Sequence, residues 1–223
     1  MIISSKRFNL FEMNLDVEIL PIGQTSVQLP QVWNLIQETY AKRLQDSGVE
    51  FNLLRYSYKM FADRISDEQL TVLVATNADK ELLGTRTLRF HHNRNIKYAE
   101  GMWLAVSPRV QGKGVGSKLL LYGSDFAIEQ GCDFVIEDTA VAATSSVRMH
   151  EKNRYYIYGF ASFESTNYYS IVFRNQIGEA NKLYSYKWFC HLRFVLSWLY
   201  VKATKKANGD RTALGKVIHL LKR

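Results

Sequence analysis

Residues 109–120, which read RVQGKGVGSKLL, contain three glycines within five positions, and a leucine-rich run follows the glycines. Gly112, Gly114 and Gly116 have no side chains, so successive backbone amides can point at one ligand without obstruction. A helix that begins here adds its own unpaired N–H groups and the positive end of its dipole. Such an arrangement suits a phosphate group. The sequence therefore predicts a phosphate-binding site in this loop.

The spacing of residues 111–116, the glycine loop, excludes two familiar nucleotide-binding motifs. A P-loop requires G-x-x-x-x-G-K-[ST], whereas this loop continues as Gly116-Ser117-Lys118. The dinucleotide fingerprint G-x-G-x-x-G does not match the order G-K-G-V-G. The predicted phosphate ligand is therefore not explained by either motif.

Apolar periodicity predicts the elements that must position the glycine loop. Before the loop we expect a strand, two helices and three strands, with Pro30 in the first turn of the first helix. After the loop we expect a helix ending at Gly131, a strand, a short helix capped by Thr144 or Ser145, and a hairpin. The predicted ranges are 16–20, 29–45, 53–65, 70–76, 81–90, 98–108, 116–131, 132–142, 144–152, 155–165 and 168–175.

The glycine loop and its flanks resemble one known family. Residues 111–116 match the Q/R-x-x-G-x-G/A motif of the GNAT superfamily of acyl-CoA-dependent N-acyltransferases. The longer stretch WLAVSPRVQGKGVGSKLL also resembles the family's strand, V-x-P segment and leucine-rich helix, and the element order is similar over residues 15–175. The resemblance implies an α/β (α+β) fold, in which helices flank a mixed, mostly antiparallel central sheet.

The resemblance also implies a co-substrate, which is acetyl-CoA or another acyl-CoA. In the family, the backbone amides of the loop bind the pyrophosphate of coenzyme A, and the acyl group passes by direct attack to a primary amine. The acceptor would be a small-molecule or peptide amine whose identity the sequence does not reveal. The residues expected to bind coenzyme A are Leu104, Ala105, Val106, Gln111, Gly112, Lys113, Gly114, Val115, Gly116 and Ser117.

Amide formation needs a neutral amine, so a group must accept a proton from the acceptor. Many family members carry a glutamate at the start of the strand before the loop, and Glu100 matches that position as the expected general base. Gly101 beside it would permit a β-bulge. Glu137 and Asp138 are neighbours on a later strand, so we expect only one of them to face the cleft and contact the amine.

The departing thiolate benefits from a proton donor. Family members commonly place a tyrosine in a Y-E-K-x-G-F segment, but here the corresponding residues are His150-Glu151-Lys152. The expected donor is therefore His150, or Tyr155 or Tyr156 from the following NRYYIY segment, or solvent.

Two other functions fit parts of the sequence. The segments LLRYSYKMF and LLGTRTLRF resemble those of homoserine-lactone and N-acyl amino acid synthases, which take long acyl chains from acyl carrier protein. A non-catalytic acyl-CoA-binding module is the second alternative. The intact glycine loop favours coenzyme A as the acyl carrier.

Composition and charge divide the chain into two parts. Hydrophobic residues make up 47% and charged residues 22% of its 223 residues, which is typical of a globular protein. The whole net charge of +8 lies in residues 176–223, because positive and negative side chains are equal in number over residues 1–175. We therefore expect a GNAT-like domain at 1–175 and a basic amphipathic helical extension at 176–223.

The extension is expected to dock on the body or on a second subunit as a homodimer, to rest on an anionic membrane surface, or to receive an acyl carrier protein. Nucleic acid is less favoured as a partner, because the sequence contains no recognised nucleic-acid-binding motif. The two cysteines are far apart in the chain, no export signal is recognisable, and His91 and His92 have no partner at metal-ligand spacing. We therefore expect a protein without a metal site that is cytoplasmic, either free or peripheral to a membrane.

Overall fold

The computed structural model describes most of the body of the chain. The described residues are 6–10, 15–48, 50–93, 95–140, 143–153, 155–161, 168 and 170–176, with 199, 203 and 214 as isolated helical positions. Apart from those three positions, the predicted C-terminal extension lies outside the described residues. The prediction of its amphipathic character stays a prediction.

Eight strands form one sheet in the order β1-β2-β3-β4-β5-β6-β8-β7. Every neighbouring pair is antiparallel except β5 and β6, which are parallel. This confirms the mixed, mostly antiparallel sheet predicted for the fold class. The strands are β1 Lys6–Leu10, β2 Leu15–Pro21, β3 Thr71–Thr76, β4 Leu82–Asn93, β5 Ile96–Val106, β6 Phe134–Ala140, β7 Tyr156–Ala161 and β8 Ser170–Gln176.

Within the described body of the chain, four α-helices cover the sheet, and local capping explains where the first two begin. They are α1 Leu29–Ser47, α2 Tyr58–Asp67, α3 Val115–Glu129 and α4 Thr144–Lys152. Helix α1 begins with a reciprocal cap between Gln28 and Gln31 and ends at Gly48, which has a left-handed φ of 68°. Helix α2 starts later than predicted because Ser57 accepts a hydrogen bond from the Met60 amide.

Two sequence-based expectations about the elements are corrected. Strand β1 was not predicted, because its five residues are too few for an apolar alternation to be recognised. Helix α4 has Ala143 at its N-cap with no side-chain hydrogen bond, so neither Thr144 nor Ser145 caps it. The other predicted elements agree with the structure to within a few residues at their ends.

The sheet is packed on both faces, and strand β3 shows how. Val72 and Val74 point toward α1 and α2, whereas Leu73 and Ala75 point toward α3, as the two-residue repeat of a strand requires. All four side chains are essentially inaccessible to solvent. Two hydrophobic cores therefore hold the central strands, one on each face.

The parallel strands β5 and β6 pair only at one end. Residues 98–101 of β5 pair with 134–137 of β6, after which β6 continues along β8 and β5 continues along β4. The two strands part beyond Gly101 and Glu137. A groove therefore opens in the middle of the sheet, between α1 and α2 on one side and α4 on the other.

Strand β5 contains a β-bulge, but not at Gly101 as expected. The register between β4 and β5 shifts opposite Thr85–Thr87, and Trp103 has a positive φ of 51°. Gly101 keeps its register, and its lack of a side chain serves another purpose. A Cβ atom there would collide with the Glu137 carboxylate, so the glycine makes room for that side chain.

Candidate active site

A cavity of about 330 Å³ occupies the parting between β5 and β6. Helices α1, α2 and α4 supply its walls, and both strands supply its floor. The lining combines aromatic rings, two arginines and three carboxylates. It comprises Tyr40, Arg43, Phe51, Asn52, Leu53, Tyr56, Arg64, Glu100, Gly101, Met102, Trp103, Leu104, Glu137, Asp138, Thr139, Ala140, Ser146, His150 and Tyr168.

The glycine loop lies between the end of β5 and the start of α3. Gly112 and Gly114 have backbone φ angles of 77° and 85°, which residues other than glycine rarely adopt. Within residues 111–117, only the Lys113 amide reaches a backbone acceptor among the described residues, at 3.3 Å from Val110 O. The other amides of these residues have no backbone acceptor among the described residues, and Val115 and Gly116 are themselves buried.

The third glycine has a packing function that its spacing did not reveal. A Cβ atom at Gly116 would lie 2.8 Å from Met149 Sδ of α4, so the glycine lets α4 approach α3 closely. Asn153 Nδ2 also donates to Ser117 Oγ at 3.0 Å across the same contact. The start of α3 is thus tied to the helix that carries His150.

The predicted coenzyme A residues on β5 differ in their surroundings. Leu104 lines the cavity, whereas Ala105 is fully buried in the core beneath α1. The Val106 carbonyl accepts hydrogen bonds from Thr39 Oγ1 at 3.3 Å and from Gln111 Nε2 at 3.0 Å. The Gln111 side chain therefore fastens the loop to β5, and Val115 is buried in the core.

Glu100 lies on the cavity wall with about 35% of its side chain exposed. Its Oε2 accepts a hydrogen bond from Arg89 at 3.3 Å and contacts His91 Nε2 at 3.0 Å. Arg89 also forms an ion pair with Glu68 at the end of α2. The carboxylate is therefore held in place through Oε2, and none of the described hydrogen bonds or ion pairs involves Oε1.

Asp138 and Glu137 both line the cavity, so the expectation that only one of them would do so is wrong. The reason is that β5 and β6 part at this point, and the cavity reaches both faces of β6. Asp138 is accessible to solvent yet crowded by protein. Desolvation raises the pKa of Asp138, and the Glu100 carboxylate raises it further.

Glu137 is 5% exposed, and its Oε1 accepts a hydrogen bond from Nη2 of Arg86, which is completely buried. Arg86 also donates to Leu119 O at 3.1 Å and Leu120 O at 2.8 Å, both in α3. Burial lowers the pKa of Arg86, an effect that Tyr155 partly opposes. An arginine in the sheet interior is therefore held by one carboxyl group and two carbonyls.

His150 and Tyr155 join the same buried group, but they lie at different distances from the cavity. His150 lines the cavity wall, with Nε2 2.8 Å from Glu137 Oε2. The Tyr155 hydroxyl lies behind Glu137, 3.1 Å from Arg86 Nη2 and 3.0 Å from Ser124 Oγ. His150 therefore lines the cavity. Tyr155 does not line it, but its hydroxyl contacts Glu137, which does.

The Arg86–Glu137 pair was not predicted from the sequence. The signal available was Arg86 itself, which occupies an inward position of the LLGTRTLRF run, two residues before the buried Leu88. A charged side chain at a core position needs a partner. Glu137, likewise at a buried strand position, is the partner that the topology supplies.

Replacing Gly123 with Ala should destabilise the protein by about 2 kcal/mol, because an added Cβ atom would collide with the Arg86 guanidinium. Gly159→Ala is the matched control, since nothing lies within 4 Å of a Cβ atom there. Denaturant unfolding of both variants measures the difference. Equal stability of the two would contradict the described position of Arg86.

Among the described residues there is no cluster of His, Cys, Asp and Glu side chains suited to a metal ion. No helix in this part of the chain has the length and apolar character needed to cross a membrane. Of the two cysteines, Cys132 is a buried free thiol and Cys190 lies outside the described residues.

Comparisons with known proteins agree with this geometry. A family model described as Acetyltransferase (GNAT) family matches residues 29–155. No curated protein matches the chain. Among solved structures, a GCN5-related N-acetyltransferase from Kribbella flavida is similar with a TM-score of 0.58 at 15% identity, covering 72% of this chain and 98% of its own.

Two further structures share the fold. The ribosomal-protein-S18-alanine N-acetyltransferase from Escherichia coli has a TM-score of 0.55 at 16% identity, covering 75% of this chain and 97% of its own. The NatC complex bound to Gag peptide and coenzyme A has a TM-score of 0.55 at 15% identity, covering 73% and 99%. At these identities the similarity shows the fold.

Proposed function

The chain belongs to the GNAT acetyltransferase family, and we propose that it transfers an acetyl group from acetyl-CoA to a primary amine of a small-molecule or peptide acceptor. The family implies acyl transfer from coenzyme A to an amine. The acetyl group and the acceptor class are the finer parts of the proposal.

The glycine loop is the observation that carries this proposal. Apart from the Lys113 amide, its amides lack backbone acceptors among the described residues, two of its glycines have left-handed φ, and helix α3 begins within it at Val115. These features suit the pyrophosphate of coenzyme A. Gly112, Gly114, Val115, Gly116 and Ser117 would hold it through their backbone, and Leu104 would line the path of the acyl arm.

Bound acyl-CoA supplies an activated thioester, and the chain supplies the groups that move protons. Glu100 is proposed as the general base, because it lines the cavity and its carboxylate is oriented by Arg89 and His91. It would take a proton from the acceptor ammonium, directly or through water, so that the nitrogen can attack the acyl carbon. His150 is proposed on the leaving-group side, since it lines the same cavity from helix α4.

The experiment that tests this function is incubation with acetyl-CoA and a panel of primary amines, followed by thiol detection and mass spectrometry of the amines. A mass increase of one acetyl group on an amine, with matching release of free thiol, is the expected result. Release of thiol by water alone, with every amine unmodified, would contradict acyl transfer to nitrogen.

Thermal-shift titration separates the acyl carriers. Acetyl-CoA should raise the melting temperature, because a ligand that binds only the folded state stabilises it. A larger response to long-chain acyl-CoA or to loaded acyl carrier protein would favour the N-acyl amino acid synthase-like alternative. Stabilisation by acetyl-CoA with no turnover of any amine would favour a non-catalytic acyl-CoA-binding module.

A further inference from the structure

Both ring nitrogens of His150 are in short contact with oxygen atoms. Nδ1 lies 2.7 Å from the Ser146 carbonyl, and Nε2 lies 2.8 Å from Glu137 Oε2. The ring is further fixed by stacking on Phe173, with centroids 4.6 Å apart and planes 12° from parallel. The imidazole therefore cannot rotate to relieve either contact without leaving its packing.

These two contacts require one more proton than a neutral imidazole and a carboxylate provide. A carbonyl oxygen only accepts, so Nδ1 must carry the proton that it donates to Ser146. In a neutral ring Nε2 is then a lone pair, and it cannot bond to a carboxylate oxygen, which also only accepts. A second proton must lie between Nε2 and Oε2.

The surroundings favour Glu137 as the carrier of that proton. Burial lowers the pKa of His150 to about 4, and the charge of Arg86 adds to this shift, while the hydrogen bond to Ser146 opposes it. The other charged groups facing the ring, besides Glu137 itself, are Arg43 on α1, which lowers this pKa, and Asp138, which raises it. These effects favour a neutral ring, with the hydrogen on Glu137 Oε2.

The remaining contacts of Glu137 agree with a protonated carboxyl group. Arg86 Nη2 and the Tyr155 hydroxyl both donate to Oε1, the latter at 3.3 Å, so Oε1 acts only as an acceptor. Oε2 has His150 as its partner and is free to act as the donor. One oxygen thus serves as the carbonyl and the other as the hydroxyl of a carboxylic acid.

We propose that Glu137 and His150 hold one proton between them on the cavity wall and deliver it to the sulfur that leaves the acyl carbon. This inference rests on the proposed acyl transfer. The carbon–nitrogen bond forms, the carbon–sulfur bond breaks with its electron pair on sulfur, and the proton of the pair neutralises that sulfur. The acceptor ammonium loses two protons, one before the attack and one after it, both of which pass to solvent, and solvent reprotonates the pair. Arg86 and Tyr155 act as positioning residues through Oε1.

Glu137→Gln tests the proposal, because an amide has the shape and hydrogen-bond pattern of a protonated carboxyl group but does not give up its proton. The melting temperature is expected to stay within about 3 °C of the wild type. The kcat for acetyl transfer is expected to fall about 100-fold, and the loss of activity at alkaline pH that we expect of the wild type should disappear. Glu151→Gln, an exposed change on the helix that carries His150, should match the wild type.

Two results with Glu137→Gln would overturn the proposal. An unchanged kcat would show that the proton of the pair is not used. A fall of about 10 °C or more in melting temperature would show that Glu137 is the ionised partner of Arg86, because removing its charge would leave a buried cation unpaired.

Nitrogen-15 spectra of the histidine rings in the wild type keep the proposal testable if Glu137→Gln does not fold. At pH 7 the His150 ring should be neutral with its proton on Nδ1. An imidazolium, or a neutral ring with its proton on Nε2, would overturn the proposal. Coenzyme A should still stabilise Glu137→Gln against heat, whereas no stabilisation of the wild type would count against the proposed function instead.

Discussion

Replacing Glu100 with Gln is expected to lower kcat about 1,000-fold while leaving the affinity for coenzyme A unchanged. The amide keeps the size of the carboxylate and a hydrogen-bond acceptor for Arg89, but it cannot take a proton from the acceptor nitrogen. Removing a positioned general base typically costs a factor of 100 to 10,000, or about 3 to 5 kcal/mol in the transition state. Steady-state kinetics with acetyl-CoA and an amine substrate measure the loss.

Glu68→Gln is the matched control for this change. Glu68 pairs with the same arginine, Arg89, but it does not line the cavity. Its replacement should alter kcat less than threefold. Asp138→Asn tests the competing base, since Asp138 lines the cavity and desolvation raises its pKa. A larger loss with Asp138→Asn than with Glu100→Gln would transfer the role of base to Asp138.

Replacing Gly112 with Asp is expected to weaken coenzyme A binding about 100-fold. The position is open, with nothing within 4 Å of an added Cβ atom, and Asp tolerates its left-handed φ better than most residues. A carboxylate about 5 Å from a phosphate charge, at an effective dielectric constant of about 20, repels it by about 3 kcal/mol. Isothermal titration with coenzyme A at low salt measures the change in Kd.

Gly131→Asp controls for the backbone strain of that substitution. Gly131 has a φ of 78°, against 77° for Gly112, and an equally open surrounding. It follows α3, about 20 Å from the loop by the rise of a helix of that length. The two variants should lose similar stability, but only Gly112→Asp should lose affinity. Equal affinities would contradict pyrophosphate binding by the loop.

The fold and the loop were accessible to sequence reasoning because both depend on local patterns. Apolar periodicity predicted α1 and α3, and the glycine spacing predicted a turn without side-chain obstruction before a helix. In the structure Gly112 and Gly114 have left-handed φ values in that turn. Gly116 satisfies the motif for a different reason, because its missing side chain admits Met149, a residue 33 positions later in the chain.

The centre of the candidate site was less accessible because it depends on long-range contacts. Glu100 and His150 could each be singled out by residue type and position, but nothing local indicates that Glu137 joins Arg86 to His150. Nor does periodicity show where two parallel strands part. The β-bulge was expected at Gly101 and lies at Trp103, because the room at Gly101 is taken up by the Glu137 side chain.

The most direct test of the central claim is a titration of the nitrogen-15-labelled protein with coenzyme A, followed through its backbone amide resonances. The account predicts that the largest shifts occur at five amides that donate to the pyrophosphate, those of Gly112, Gly114, Val115, Gly116 and Ser117. Pantetheine lacks the pyrophosphate and should leave these resonances unchanged. Saturable binding of coenzyme A with these five resonances unchanged would contradict the account.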